Sequence, residues 1–597
     1  MPTARWTPAR LALLAAAALV FTHPGLTYAQ AVAEAADEAS MDEEGDATVA
    51  VVALSGYDAL MADADFLGEL AGQPGVSGVA EMLLAMSTGG RGVEGLDKSQ
   101  PIGVVLQTDG AAFAPVVCLP ITDLESLLEL ADMRGMAAEQ DEDGIYRMPS
   151  PQGQEVFFFD EQGWVFLGPS VEALDAAPED PSGMLVALLG EHDLSIELMP
   201  QAVPAMYRQI AVEQLRAGMQ EGLERQDEET DEAYETRKRL AEAQIDQLTD
   251  LIEGLEKLAV GLAIDGVDSQ VYVDVELVGV EGSDMAVAMA AYEDATTDFA
   301  AFHRPDAAMS LLASAVTPPE LLEKQKAQLE AGIATIRVQL DRAIDEAVEA
   351  TIDDGGDETE FRDLLEGVTD DLIDAYRELV TSGRADLAMS LDLSGGGFDL
   401  IAGGYLPNPE KVESALKRLE EAAQKQATKE GADDTPGVAW GYAEHSGVTL
   451  HKLEAPIPAD ADQARAALGD SLVILMGVAP ERVYLAAGPR AEESLKSAID
   501  ESAARSGELS GSGEFLVDVQ AVLEAVEPLV EGEASNILAV MLEAMDKAPE
   551  GKGRILVETE PVSRGVRVRY LLEEGVLRGI AGFAAQAAAN AQQGQGF

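Results

Sequence analysis

The chain has 597 residues, 47% of them hydrophobic, so it is long enough for two or more domains and apolar enough to fold. Asp and Glu number 109 against 39 Lys and Arg, which gives a formal net charge of −70. A surface this acidic repels nucleic acid and anionic lipid, so neither is expected as a partner. Basic proteins, weakly associating divalent cations and a simple role in salt tolerance stay open.

The N-terminus has the three regions of a secretory signal peptide. Arg5 and Arg10 precede the apolar run LALLAAAALVF, and small residues follow up to AQA. The run of about 11 residues is too short to span a bilayer. We therefore predict a signal peptide over 1–31, an acidic low-complexity leader over 32–46, and a mature protein exported to the periplasm or beyond.

After the leader, one pattern recurs: a strand, then helices, then a β-hairpin, then a helix. The opening strands are predicted in ATVAVVAL, DLSIELM, DAAMSLLA and EFLVDVQ, where apolar and polar residues alternate. Hairpins are predicted from Pro101, Leu258, Ala385 and Gly553, each with a polar or glycine-bearing turn.

Additional strands lie between the first and second units of this pattern, and again between the third and fourth. In each case the last additional strand ends in Gly-Pro, at Gly168 and at Gly488. The repeat predicts a duplication of α+β class, with two lobes over 47–303 and 304–590 and a polar tail over 591–597. Each lobe is expected to be a curved antiparallel sheet with helices packed on one face.

Two helix-rich insertions are predicted inside these lobes. Residues 206–256 have the apolar spacing of a long helical hairpin, and residues 318–380 form a second pair that breaks at DDGGDETE. Such helices either cover a sheet or project as docking arms.

The single cysteine, Cys118, lies in the strand-like APVVCLP, so no intrachain disulfide can form. No histidine lies close to it in sequence, and we interpret it as a small core residue rather than a nucleophile.

Two loops resemble ligand-binding motifs. GRGVEG, from Gly90 to Gly95, matches the dinucleotide-binding pattern G-x-G-x-x-G. A helix is predicted before it and a strand after it, whereas a dinucleotide site requires a strand before it and a helix after it. EQDEDGIYRMPS has acids at alternate positions like a calcium loop, yet Ser150 replaces the closing glutamate and Pro149 leaves no exiting helix. The stretch DDGGDETE, around Asp353, matches the spacing of a calcium-binding loop even less well. Neither a cofactor nor a metal is predicted.

Histidine is scarce after the signal segment, at His192, His303, His445 and His451. His445 and His451, with Glu444 nearby, could face each other across one hairpin, the one place where a metal or an acid–base pair is conceivable. Surface histidines are the alternative interpretation. Catalytic residues stay unknown, because 109 acids make coincidental carboxylate pairs certain.

The segment DKSQPIGVVLQTDG, which begins at Asp97, is followed by the segment VVCLPITDLESLLELA. Together with the signal peptide, acidic leader and repeated hairpin-helix units, it resembles large uncharacterised secreted proteins of planctomycete-type bacteria. The resemblance implies an exported α+β protein and no assigned activity or catalytic residue.

The leading hypothesis for function is an exported non-enzymatic binding or scaffold protein with an unidentified protein or apolar ligand. An apolar-ligand carrier is one version of it, since the chain has 19 methionines. The alternative is an extracellular polymer hydrolase that works through carboxylates without a recognisable motif.

Overall fold

A computed structural model describes residues 47–594 with gaps. The gaps are 151–153, most of 222–250, 294, 353–357, 395–396, 430–436, most of 458–467, 510–512 and 531. The predicted signal peptide, the acidic leader and the last three residues of the polar tail lie outside the described residues, as does the DDGGD stretch around Asp353.

The first half of the described chain contains ten strands and seven helices before residue 290. The strands are β1 Ala47–Leu54, β2 Ile102–Thr108, β3 Phe113–Pro120, β4 Glu139–Gln140, β5 Tyr146–Pro149, β6 Glu155–Glu161, β7 Trp164–Gly168, β8 Leu194–Leu198, β9 Leu255–Asp265 and β10 Gln270–Gly279. The helices are α1 Tyr57–Leu70, α2 Val76–Ser87, α3 Leu124–Met133, α4 Val171–Leu174, α5 Pro181–Leu189, α6 Ala205–Glu221 and α7 Asp284–Met289.

The remainder continues with the same mixture of elements. Its strands are β11 Thr296–Thr297, β12 Met309–Val316, β13 Arg384–Asp392, β14 Asp399–Tyr405, β15 Val438–His445, β16 Val448–Pro456, β17 Ser471–Ala479, β18 Arg482–Ala487, β19 Glu508–Leu509, β20 Gly513–Asp518, β21 Arg554–Val562 and β22 Gly565–Glu573. Its helices are α8 Pro319–Ile352, α9 Glu358–Ser382, α10 Pro409–Lys429, α11 Ala491–Ala504, α12 Val519–Val526, α13 Glu533–Met545 and α14 Glu574–Gly594. The predicted class, mixed helix and antiparallel sheet, is confirmed.

The described chain divides into two compact units. The first unit contains 47–286, Val526–Val557 and the chain from Val562; the second contains Val287–Ala525 and Glu558–Pro561. These units differ from the predicted lobes, 47–303 and 304–590, because the C-terminal part of the chain belongs mostly to the first unit. The physical reason is that β22 pairs with β10, a pairing that hydrophobic periodicity along the chain cannot reveal.

The strands of the first unit pair antiparallel in an order that begins at the short β4. The order is β4, β5, β6, β7, β3, β2, β1, β8, β9, β10, β22. Its core forms where α4 and α5 cover the sheet: Leu174 and Leu185 pack on Val105, Val116 and Trp164.

The strands of the second unit also pair antiparallel. The order is β20, β12, β13, β14, β18, β17, β16, β15. The largest core cluster lies between this sheet and α11, where Leu495 and Ile499 pack with Phe299, Phe302 and Tyr484.

Helices cover both faces of the second sheet, which corrects the expectation of helices on one face. Tyr484 on β18 packs in the cluster with α11, whereas its neighbour Val483 packs with Val412 of α10 and Ala375 of α9. Successive residues of a strand point to opposite faces. Strands β14 and β18 are therefore buried at most positions, and such strands carry little of the alternation from which one covered face was inferred.

The predicted insertion over 318–380 corresponds to α8 and α9. Arg377 Nε lies 3.1 Å from Glu330 Oε1, and Arg362 Nη1 lies 2.6 Å from Asp345 Oδ1. In turn α9 packs on α10 through Val368. Of the hairpin predicted over 206–256, the structure describes α6 and only scattered residues beyond Glu221. No helix in the described ranges has the length and apolar character required to cross a membrane.

The two Gly-Pro corners differ in how strictly they require glycine. Gly488 has φ 128°, and a Cβ there would lie 2.1 Å from the backbone oxygen of Phe398. At Gly168 the nearest atom to a Cβ is Leu174 Cδ2, at 3.1 Å, which belongs to a side chain that can move.

We therefore expect Gly488→Ala to lower the free energy of unfolding by about 3 kcal/mol, from backbone strain and overlap, and Gly168→Ala by about 1 kcal/mol or less. Urea denaturation followed by circular dichroism measures both. Equal losses in the two variants would contradict this assignment.

Candidate functional site

Cys118 lies in the core of the first unit. Its side chain is fully buried on β3, in the cluster that contains Val116 and Phe166. Burial raises the pKa of the thiol to about 12, so the thiolate is scarce at neutral pH. The environment suits a packed apolar residue and not a nucleophile.

The Gly90–Gly95 loop connects α2 to the strands and packs against the start of α3. The oxygen of Gly95 accepts hydrogen bonds from the backbone N–H of Thr122, at 2.8 Å, and of Asp123, at 3.3 Å. Strand β2 is the next element after the loop, so no helix N-terminus faces it in the manner of a dinucleotide site. The loop lines a small open cavity of about 310 Å³ with Glu81 and Lys98.

The acidic segment between α3 and β6 forms the β4–β5 hairpin. Asp141 Oδ1 accepts hydrogen bonds from the backbone N–H of Asp143, at 3.0 Å, and of Ile145, at 2.9 Å. Gly144 supplies the left-handed conformation of this turn, with φ 88°. These hydrogen bonds give Asp141 a turn-forming role.

His445 and His451 contact different helices. His445 Nε2 lies 3.0 Å from Asp500 Oδ2 on α11. The buried His451 accepts a hydrogen bond at Nδ1 from Gly441 N–H, at 2.9 Å, and its Nε2 lies 3.8 Å from Glu413 on α10. Because α10 and α11 cover opposite faces of the sheet, the two rings do not face each other.

The chemistry of His451 is that of a neutral ring. Its Nδ1 accepts a hydrogen bond, which places the proton on Nε2. Burial lowers the pKa of His451, an effect that the nearby carboxylate of Glu413 only partly opposes. The residue also packs against Trp440, with ring centroids 4.9 Å apart. Glu444 pairs with Thr449 in the ladder and joins neither histidine in a described contact.

A charged cluster that the sequence did not reveal surrounds Asp274 on β10. Arg569 Nε and Nη2 each donate to its carboxylate at 2.8 Å, and His192 Nε2 lies 2.9 Å from its Oδ2. His192 Nδ1 lies 3.1 Å from the oxygen of Leu189, so both ring nitrogens face oxygen acceptors. The partners are 82 and 295 positions away in sequence, too far for spacing rules to connect them.

Asp63 on α1 and Asp193 before β8 form a pair of neighbouring carboxyl groups. Burial, repulsion from the Asp193 carboxylate and a hydrogen bond to it raise the pKa of Asp63 to about 6. Asp193 Oδ2 also accepts a hydrogen bond from Ile264 N–H at 2.8 Å. The pair joins α1 to the start of β8, a strand inside the sheet. Neither residue lines the cavity beside the Gly90–Gly95 loop or the one between α8 and α9.

Helix α2 exposes an apolar stripe, which we call the α2 face: Val79, Met82, Leu83 and Met86. Their exposed fractions are 53%, 55%, 58% and 73%, and no residue of α2 is buried. The positions i, i+3, i+4 and i+7 place the four side chains on one side of the helix. Burial of this side would be expected from its sequence, yet the described residues leave it open.

Helix α2 is held to the rest of the unit through its other sides. Ser77 donates to the Asp65 carboxylate of α1 from its hydroxyl, at 2.5 Å, and from its backbone N–H, at 2.9 Å. At Gly68 a Cβ would lie 2.5 Å from Val76 Cγ2, so glycine permits the close approach of the two helices. The α2 face is thus displayed by a helix fixed at its base.

Among the described residues, no group of three or more His, Cys, Asp or Glu is arranged to hold a metal ion. Comparison with known proteins found no matching family model, no matching curated protein and no matching solved structure.

The Asp63 carboxyl predicts a pH-dependent stability with a definite sign. Its pKa of about 6 lies above the ordinary value of 3.8, so the folded state binds more protons between these values and loses stability as pH rises through that window. We expect Asp63→Asn to stabilise the protein at pH 7.5 and to do so less at pH 5.0, in thermal unfolding at constant ionic strength.

Asp65→Asn, two residues along α1, is the matched control. Hydrogen bonds from Ser77 hold the pKa of Asp65 below its usual range, so this carboxylate stabilises the folded state once it is ionised. Asp65→Asn is expected to destabilise at both pH values. If the two variants shift in the same direction at pH 7.5, the carboxyl-pair explanation is wrong.

Proposed function

We propose that the chain is an exported, non-enzymatic binding protein that captures a basic amphipathic helix of a partner on the α2 face. The observation that carries the proposal is the exposed stripe Val79, Met82, Leu83 and Met86 on a helix anchored from its other sides. Apolar anchors at this spacing are the usual means by which one helix recognises another.

The side chains of the α2 face suit a helical partner. Two of the four are methionines, whose flexible thioethers adapt to different apolar surfaces. Met133, at the end of α3, is 54% exposed and lies near the end of α2, since a Cβ at Gly89 would be 3.9 Å from its sulfur. A partner that covers the stripe has apolar contacts beyond α2 itself.

The charge around the stripe selects a basic partner. Residues 57–100 contain seven acids and two bases, and one of the bases, Arg91, is already paired with Glu129. The formal charge of the whole chain, −70, attracts cationic partners from a distance and repels acidic ones. A helix with an apolar stripe and flanking Lys or Arg therefore fits this surface in shape and in charge.

Export is part of the proposal and rests on residues 1–31, where two arginines, an apolar run and small residues follow in the order of a signal peptide. Outside the cytoplasm, a partner would be met as a secreted or surface-exposed segment.

A duplicated architecture is the second part of the proposal. The pairing order β8, β1, β2, β3, β7, β6, β5, β4 has the same connectivity as β20, β12, β13, β14, β18, β17, β16, β15. Gly168 is the last residue of β7 and Gly488 directly follows β18, and these two strands occupy the same place in the two orders. Two copies of one α+β unit, in which β9 and β10 correspond to β21 and β22, account for this match.

The other functions considered find less support. The cavity of about 350 Å³ between α8 and α9 is lined mostly by charged residues, and the one of about 310 Å³ beside the Gly90–Gly95 loop has four charged side chains in its lining, so neither suits an apolar ligand. For a polymer hydrolase, Asp63 has the raised pKa of a general acid, but its neighbour Asp193 accepts a hydrogen bond from the backbone of β9 and neither lines those cavities.

A labelled model peptide tests the proposal directly. We expect a helix-forming Leu/Lys peptide to bind the wild-type protein, and Leu83→Glu to weaken that binding at least tenfold because it places a charge in the apolar stripe. Fluorescence anisotropy measures the dissociation constants, and thermal unfolding checks that the variant remains folded.

Val186→Glu is the matched control, because Val186 is exposed to 55% on α5, away from the stripe, and acquires the same charge. A Leu/Glu peptide of identical apolar pattern is the ligand control and is expected not to bind. Equal weakening by Val186→Glu, binding of the acidic peptide, or no binding of the basic peptide to the wild type would each refute the proposal.

A further inference from the structure

Strands β10 and β22 pair antiparallel along their length, from Gln270 opposite Glu573 to Val278 opposite Gly565. The residue directly before each strand has a positive φ although it is not glycine. The φ angle is 56° at Ser269 and 59° at Arg564. Under the duplication proposed above, on which this inference rests, these two residues and the strands after them are equivalent.

The equivalence has a geometric consequence at one position. Ser269 and Arg564 are the same distance apart in sequence as Asp274 and Arg569, which are separated by 295 positions. Asp274 and Arg569 are therefore equivalent residues, and they stand directly opposite each other in the ladder. A local two-fold axis between β10 and β22 passes through this pair, the single place where a residue faces its own equivalent.

At such an axis, two identical copies would bring identical side chains together. Two aspartates or two arginines there would repel, with one of the pair left as a poorly compensated charge. Here Asp274 and Arg569 instead form a bidentate ion pair with both N···O distances at 2.8 Å. Identical strands would place the same residue on both sides of this position, so their charges could not be complementary there. The two strands of this chain instead have opposite charges at it.

In the neighbouring pair, too, the acid lies on β10 and the base lies on β22. Glu276 of β10 faces Arg567 of β22, with Arg567 Nη2 donating to Glu276 Oε2 at 2.7 Å. By the same offset, the equivalent of Glu276 is Leu571, and that of Arg567 is Tyr272. In these two pairs the acids lie on β10 and the arginines lie on β22, whereas Glu573, at the far end of β22, faces the uncharged Gln270.

The surroundings of the axis pair make it costly to leave either of its charges unpaired. The Asp274 side chain is 7% exposed, and Arg569 Cζ lies 4.2 Å from the centre of the Tyr272 ring. Burial opposes ionisation of Asp274, but hydrogen bonds from Arg569 and His192 outweigh it, so the pKa of this carboxyl lies below its usual range. Lys257 Nζ, 2.7 Å from Glu276, adds a cation to the acidic strand. His192 and Tyr272 thus contact the axis pair, and the Glu191 carboxylate lies close enough to interact with the charge of Arg569.

We propose that these charges are a recognition code between the two hairpin edges. They favour the pairing of β10 with β22. They disfavour the pairing of either strand with the same strand of a second molecule. An unpaired β-edge offers backbone groups to any strand, so an edge without a code would allow chains to join through β10–β10 or β22–β22 ladders. Covalent linkage then favours the pairing within one chain over an exchanged pairing between two chains.

Three variants of the full chain test the code: Asp274→Arg, Arg569→Asp and the double variant with both changes. Each single variant places like charges at the axis and is expected to lower the thermal midpoint. The double variant restores opposite charges and is expected to recover at least half of the summed losses. Additive losses in the double variant would overturn the proposal.

The exposed pair Arg337–Asp370, between α8 and α9, is the control. Its side chains are 48% and 56% exposed, so Arg337→Asp is expected to shift the midpoint by less than either change at the axis. An equal shift would mean that any charge reversal, and not its place at the axis, causes the loss.

Refolding a mixture separates a code from simple stabilisation. In Asp274→Arg both edges are basic at the axis, and in Arg569→Asp both are acidic, so each edge of one variant complements both edges of the other. Refolded together from urea, they are expected to give a 1:1 heterodimer by light scattering and native mass spectrometry, while each alone gives none. If the mixture contains only the species seen separately, the code is refuted.

These charge variants lie away from the α2 face, so the peptide titration described above is interpreted independently. Loss of peptide binding by Leu83→Glu with no heterodimer supports the binding function and overturns the code. A heterodimer without any peptide binding has the reverse meaning.

Discussion

Each sheet depends on antiparallel pairing between its opening strand and a strand that comes much later in the chain. In the first unit β1 lies between β2 and β8, and in the second β12 lies between β13 and β20. Closing such long loops costs conformational entropy, which the burial of the central strands must offset. Ala53 and Val105 in one sheet, and Ala388 and Ile401 in the other, are almost completely buried at these positions.

Sequence periodicity predicted strands and helices well wherever one face of the element is covered. Alternation in ATVAVVAL and in EFLVDVQ corresponds to β1 and β20, and the spacing over 318–380 corresponds to α8 and α9. The strands β14 and β18 were also predicted, but the helices that cover both of their faces were not, because a strand buried on both faces lacks the alternation that shows which face is covered. Periodicity also gave no sign that β22 pairs with β10, since pairing between distant strands leaves no local pattern.

The candidate site could be predicted only in part, for a related reason. The stripe Val79, Met82, Leu83 and Met86 is visible in the sequence, but it has the pattern of a helix side packed on a core. Only the burial of each residue distinguishes a covered stripe from an open one. The contacts of His192 with Asp274, and of Asp63 with Asp193, likewise join residues whose separation in sequence carries no signal.

The charge pair at the β10–β22 axis connects the architecture with the acidity of the chain. The protein has 109 acids and only 39 bases, and two of these bases, Arg567 and Arg569, are placed two apart on one strand, where both engage acids of β10. Two identical subunits joined along this edge would have to place a residue opposite itself on the axis. Under the proposed duplication, both copies belong to one chain, so each side of the axis can change independently and an aspartate can face an arginine. The bidentate geometry at Asp274 is available to such a fused pair and not to a symmetric dimer, and on that proposal the difference gives a physical reason for the two copies to remain in one polypeptide.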